Sequence, residues 1–235
     1  MTKDEVLKEL EQYGNPSTKN TFLKHGAKEP FFGVKVGDMK KIQKKVKTDH
    51  KLANELYNTG NSDAMYLAGL IADAGSITEA ELNKWAKKAS WHMISEYTVP
   101  WLAADSPHGQ KVGLEWIKSK EEKIASCGWA TLASWAGVKS DDQIDIKNYD
   151  KLLDQVAKEI HNSPNRVRYT MNGFVIAVGS GISSLSEKAK KIAEEIGKVS
   201  VNMGDTACKV PLAKDYIKKV EDRNKIGAKR KMARC

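Results

Sequence analysis

His92 and Glu96, four residues apart in Ser90-Trp91-His92-Met93-Ile94-Ser95-Glu96-Tyr97, are the residues of this chain best placed to do chemistry. On a helix that spacing puts an imidazole and a carboxylate on one face. Trp91 and Tyr97 lie beside them, and Pro100 closes the stretch. An acid, an ionisable ring and aromatic faces together can hold a cationic group. In a chain of net charge +9 they can also lie along a nucleic-acid backbone. On these residues alone the plainer reading comes first: an ordinary amphipathic helix, with Trp91 in the core and His92 and Glu96 in solvent.

Asn165-Arg166-Val167-Arg168-Tyr169-Thr170-Met171-Asn172 places two arginines and a tyrosine near a helix start. Arg168 and Asn172 share a face there. Arginine suits bidentate phosphate contacts, or pairing with acids of a neighbouring helix. Trp85, Trp101, Trp116, Trp129 and Trp135 read as packing residues. His25, His50, His108 and His161 are scattered without ligand spacing, so no metal site is expected. Cys127, between Ser126 and Gly128, reads as a buried thiol with no base partner. Gly179, Ser180 and Gly181 read as a flexible turn, and no phosphate-binding glycine loop is present. Cys127, Cys208 and Cys235 are too widely spaced for a disulfide framework or a metal knuckle, which points to a reducing cytoplasm.

The charge is uneven. Six of the nine excess positive charges, including Lys229, Arg230 and Lys231, sit in residues 223–235, which carry no acid. That segment reads as a basic tail, either polyanion-binding or merely solubilising, behind a mildly basic body of residues 1–222. A hydrophobic share of 40% and a charged share of 29% describe a soluble globular chain. No apolar run approaches the ~20 residues of a membrane span. The N-terminal MTKDEVLKELEQYG is amphipathic and lacks the apolar region of a signal peptide.

The elements that must position these residues are helices. Apolar residues recur at intervals of three and four, and strand-like alternation is nearly absent. The pattern predicts an all-α chain of thirteen helices at 3–13, 17–26, 37–47, 50–59, 62–75, 78–89, 91–104, 107–119, 123–138, 149–160, 165–179, 183–199 and 211–221. Ser62 reads as a cap. Thr78 with Glu81, and Ser184 with Glu187, read as capping boxes. Gly14, Gly26, Gly60, Gly75 and Gly137 read as helix ends, and Pro211 as first-turn proline. Short connections make neighbours antiparallel, and irregular pairs stacked into a curved solenoid fit better than a closed bundle.

Two stretches resemble a known family. Phe32-Gly33-Val34-Lys35-Val36-Gly37-Asp38-Met39-Lys40-Lys41-Ile42 is similar to the connector and basic helix of the AlkD-type DNA alkylation repair proteins. Ser90-Trp91, a carboxylate at Glu96 and Pro100 match the spacing of that family's catalytic helix. The resemblance implies HEAT-like helix pairs forming a curved superhelix with a basic concave groove for double-stranded DNA. It implies a metal-independent and cofactor-free DNA glycosylase that excises cationic N3- or N7-alkylpurines, or a DNA binder with little such activity.

A carboxylate suits the excision chemistry, because departure of a cationic base develops positive charge on the sugar. Under the resemblance Glu96 and His92 are the catalytic candidates. Trp91, Lys123, Arg166, Arg168, Phe174, Lys229, Arg230 and Lys231 are the DNA-binding ones, and the protein is a monomer. The departures are specific. Glu96 stands where the family's enzymes carry Asp, and His92 where they carry Trp. Ile124 takes the place of an Arg, with Lys123 adjacent but expected to point elsewhere. Phe174 takes the place of a Trp. Two other readings stay open: a non-catalytic binder of duplex or structured DNA on this scaffold, and a helical-repeat module for protein partners.

Overall fold

Side-chain caps decide where many of the helices begin. In the computed structural model, which describes residues 1–234, Thr2 and Thr78 each form a complete capping box with the glutamate three residues on. Asn15, Asp49, Asn61 and Asp145 accept first-turn N–H groups, each cap offsetting about 1 kcal/mol of unsatisfied donors. The helices are α1 (Lys3–Gln12), α2 (Pro16–Lys24), α3 (Val36–Val46), α4 (His50–Tyr57), α5 (Ser62–Ile71), α6 (Glu79–Lys88) and α7 (Val99–Asp105). They continue as α8 (Gly109–Trp116), α9 (Glu122–Val138), α10 (Ile146–Glu159), α11 (Asn165–Gly181), α12 (Ser186–Ile196) and α13 (Ala213–Glu221). Among the described residues there is no β-strand, and no helix is long and apolar enough to cross a membrane.

Several expected boundaries move. Asn61, not Ser62, caps α5. Ser183–Leu185 is a short 3-10 turn, so α12 starts at Ser186 with no side-chain cap. Gly137 lies inside α9, and Gly179 to Gly181 lie inside α11 rather than in a turn. Pro211 precedes α13, and its carbonyl accepts from Asn172.

The apolar interior falls into two clusters that meet along α9. Ile124 and Cys127 on one face of α9 join Trp85, Ile94, Leu102 and Trp116 in the first. Trp129, Leu132 and Trp135 on the other face join Tyr149, Phe174 and Val178 in the second. A helix apolar on both sides has to be sandwiched, and α9 packs against α7 and α8 on one side and α11 on the other. Glycines let α8 and α9 touch: a Cβ on Gly128 would lie 2.6 Å from the Ile117 nitrogen.

The connector before α3 is held from below by a single acid. The buried Asp63 carboxylate accepts the N–H groups of Phe32 (2.6 Å), Gly33 (2.9 Å) and Val34 (3.1 Å). Gly33 takes the left-handed conformation this requires, with φ of 80°. Replacing Asp63 by Ala leaves these donors without a partner and is expected to lower unfolding free energy by about 3 kcal/mol. Asp63→Asn, which keeps an acceptor, costs less. Denaturant titration of both variants checks the ranking.

Candidate nucleic-acid interface

Pro100 reshapes the helix that carries His92 and Glu96. Proline has no N–H, and its ring crowds the carbonyl four residues back, here that of Glu96. The chain answers with a π-helical turn, Ile94–Thr98, in which the Val99 N–H reaches back five residues to Ile94. Such widened turns are frequent at functional sites. His92 and Glu96 still line one cleft, as their spacing predicts, but at different depths. Glu96 is driven inward, to 4% exposure, while His92 stays half-buried.

Glu96 does not wait in an open trough. Its two oxygens accept from Arg166 Nε at 2.7 Å and Nη2 at 2.5 Å, a bidentate pair between the π turn and the start of α11. Burial pushes the Glu96 carboxyl above the usual carboxylate range, and Arg166 pulls it back. The Arg166 guanidinium lies 4.5 Å from the Tyr169 ring centroid and reaches Met203 Sδ at 3.7 Å. Met203 belongs to the segment between α12 and α13, which straps α11 to α2. Asn165 and Asn202 exchange two hydrogen bonds, and the Asp205 N–H donates to the Lys24 carbonyl. Gly204 sits so close to that carbonyl that a Cβ would lie 2.4 Å from it.

Three clefts surround the π turn. His92, Glu96, Lys123 and Arg166 line the smallest, of about 160 Å³. A second, of about 230 Å³, runs past Glu96, Tyr97, Trp101, Ser134 and Tyr169. The third, of about 290 Å³, lies toward α2 and is walled by Phe22, His25, Tyr66, Trp91, His92, Tyr97 and Trp101. Tyr97 and Trp101 separate the two larger clefts, edge to face at 5.5 Å. Burial, helped by Arg166 and His25, holds the His92 imidazole down at about 4, so it is neutral at physiological pH.

Residues 6–188 match the family described as DNA alkylation repair enzyme. This chain belongs to the DNA alkylation repair enzyme family. It is 33% identical to an uncharacterized protein of Listeria monocytogenes over 96% of this chain and all of that protein. It is 32% identical to an uncharacterized protein of Listeria innocua over 95% of this chain and 99% of that one. A solved structure, described as a new family of proteins related to the HEAT-like repeat DNA glycosylases with affinity for branched DNA structures, superposes with a TM-score of 0.91. It covers 100% of both chains at 38% identity. The fold is thus a HEAT-like α-solenoid.

Within this alkylation-repair scaffold the expected site residues divide. His92, Glu96, Trp91, Lys123 and Arg166 meet around one cleft. Lys123 does face that cleft, contrary to the expectation that it points elsewhere, although its Nζ donates to the Lys87 carbonyl. Trp91 is mostly wall, packed on Phe22 at 5.4 Å. Phe174 is fully buried between Trp129 and Tyr149, so it cannot touch DNA as expected. Arg168 lines none of these clefts and leans toward Asn165. Cys127 is buried, and burial pushes its thiol up.

The basic tail is not a free arm. Lys229 donates to the last-turn carbonyls of Ala136 in α9 and Gly181 in α11 and pairs with Asp141. Arg234 pairs with Asp105 and donates to the Gly69 and Ala72 carbonyls at the end of α5. Cations at helix C-termini satisfy orphan carbonyls and complement the helix dipole, which accounts for these charges without a polyanion. The Arg230 N–H donates to the Gly137 carbonyl, while the Arg230 and Lys231 side chains stay exposed. Cys235 lies outside the described residues.

The sequence sets Tyr97 and Tyr169 beside the candidate residues without assigning them a role, and it reads Trp101, which lines both larger clefts, as packing. The i, i+4 spacing of Tyr97 and Trp101 around Pro100 was the available signal.

Two outcomes follow from this geometry. Arg166→Met strands a buried carboxylate and is expected to cost about 3–5 kcal/mol. Adding Glu96→Gln should return much of that loss in the same denaturant titration. For His92, the unfolded chain takes up its proton below about 6.5 and the folded protein only near 4. Folded stability therefore falls as pH drops through that window. His92→Gln should flatten this part of the pH–stability curve, measured by thermal unfolding between those values.

Proposed function

We propose that this protein binds branched DNA through the surface around the π turn and does not excise alkylated bases. The observation that carries the reading is the closed Glu96–Arg166 pair. Excision needs a carboxylate free to offset charge growing on the sugar. Both oxygens of Glu96 are already taken by a guanidinium. An arginine-neutralised carboxylate projects little negative potential into the neighbouring cleft.

DNA binding is supported by different features. The chain carries a net charge of +9, and exposed lysines such as Lys24, Lys28 and Lys209 flank the strap and the end of α2. Backbone contacts of this kind give affinity without sequence information. The structural neighbour related to the HEAT-like glycosylases has affinity for branched DNA, and its likeness to this chain extends over all of both proteins. Half-exposed aromatic rings beside the π turn suit unstacked bases, which branch points supply and uninterrupted duplex does not.

The test is fluorescence anisotropy of the full chain with a four-way junction and with duplex of equal length. The junction is expected to bind about tenfold more tightly. Both constants should fall steeply as salt rises from about 50 to about 200 mM. Incubation with methylated duplex should release no free alkylpurine. Release that disappears in Glu96→Gln would instead establish a glycosylase, and equal affinity for junction and duplex would overturn the preference for branches.

A further inference from the structure

The cleft between α2 and the π turn has its own chemistry, separate from the Glu96–Arg166 pair. Its volume of about 290 Å³ lies just below the roughly 300–1,000 Å³ of clefts that hold drug-sized ligands. It therefore suits a single ring system rather than a chain of them. Phe22, Tyr97 and Trp101 present half-buried rings to it. Tyr97 and Trp101 meet edge to face, with an interplanar angle of 69°, which leaves ring surface open to a flat guest.

Two polar groups stand in this apolar wall, one of them a buried donor without an acceptor. Trp91 is 7% exposed, and its Nε1 makes no hydrogen bond. A buried indole N–H normally has an acceptor. His92 makes ring contacts with His25 at 6.0 Å and with Trp91 at 4.8 Å. As a neutral imidazole it offers one donor and one acceptor. Lys24 and Lys28, at and beyond the end of α2, are exposed and lie beside His25 in the chain. Flat faces, in-plane donors and acceptors, and cations at the rim together describe a nucleobase still attached to its phosphate backbone.

We propose that this cleft captures one unpaired nucleobase splayed from a DNA branch point, stacked against Tyr97 and Trp101 with its edge toward His92 and Trp91. The proposal rests on the branched-DNA reading above and names the part of the nucleic acid that is read. A fully paired base stays in its helical stack and cannot enter, so the cleft converts base pairing into a difference in affinity. Stacking on aromatic side chains is strong enough to make that difference about tenfold per base.

The experiment uses the full chain and forked DNA carrying 5-iododeoxyuridine either unpaired at the branch or paired in an arm. Irradiation at long wavelength followed by peptide mapping is expected to place the crosslink on Tyr97, Trp101 or His92 from the unpaired position. The paired position should give about tenfold less. Thr21 is exposed at the rim of the cleft, so Thr21→Trp can plug it from outside without disturbing the core. That variant should lose the crosslink and about tenfold of the fork-over-duplex preference, with an unchanged melting temperature. A crosslink that maps elsewhere, equal yields from the two positions, or an unaffected Thr21→Trp would overturn the cleft assignment while leaving branch binding standing. Equal affinity for fork and duplex would overturn both.

Discussion

A carboxylate and a guanidinium held together out of water govern this molecule. Separating such a pair strands a charge in a medium that cannot solvate it, so Glu96 and Arg166 fix the distance between the π turn and α11. Everything near them inherits that spacing. The Arg166 N–H donates to Glu122 at the head of α9, its guanidinium covers Tyr169, and its far nitrogen meets Met203 on the strap. One side chain thereby ties together the middle of the chain, its central helix and the crossing segment. In the proposed reading, the same pair that shapes the clefts also occupies the acid that base excision would need. Organisation of the surface and reactivity of the carboxylate are alternatives here.

The helical architecture was largely legible from residue spacing, because burying one stripe of a short helix leaves a period that survives in the sequence. The failures have physical causes. Gly137, Gly179 and Gly181 look like helix ends, yet they sit inside α9 and α11. There the missing Cβ admits another element: on Gly181 it would lie 2.7 Å from the Ala136 oxygen, and on Gly179 2.5 Å from Ile217. Close approach between helices leaves no local mark. Ser62 was one residue from the true cap because Asn61 and Ser62 are both competent acceptors. Asp63, which gathers three N–H groups from the connector, was invisible because its partners lie about thirty positions away.

The site was legible in pieces. His92 and Glu96 came from one motif and Arg166 from another, and nothing short of the fold could join them across 70 residues. The sequence comparison with the family suggested that the groove arginine was lost at Ile124. In the fold α9 buries Ile124, and an arginine arrives from α11 instead. Phe174 stands where the resemblance implies a groove Trp, yet here it fills the core between Trp129 and Tyr149. Trp101, which reads as packing, lines the two larger clefts instead. By spacing alone Pro100 only closes a motif, whereas in the fold its lack of a donor shapes the whole turn.

The C-terminal segment changes how the solenoid holds together. In an open stack each repeat touches only its neighbours, so the array can melt inward from either end. Here the carbonyls that finish α5 are completed by Arg234, more than 160 positions further along, and the strap joins α2 to α11. Residues around position 234 thus complete a helix made early, and the nascent chain carries unfinished helix ends until they arrive. A protein laced in this way behaves as a closed circuit, in which loosening one end loosens the whole.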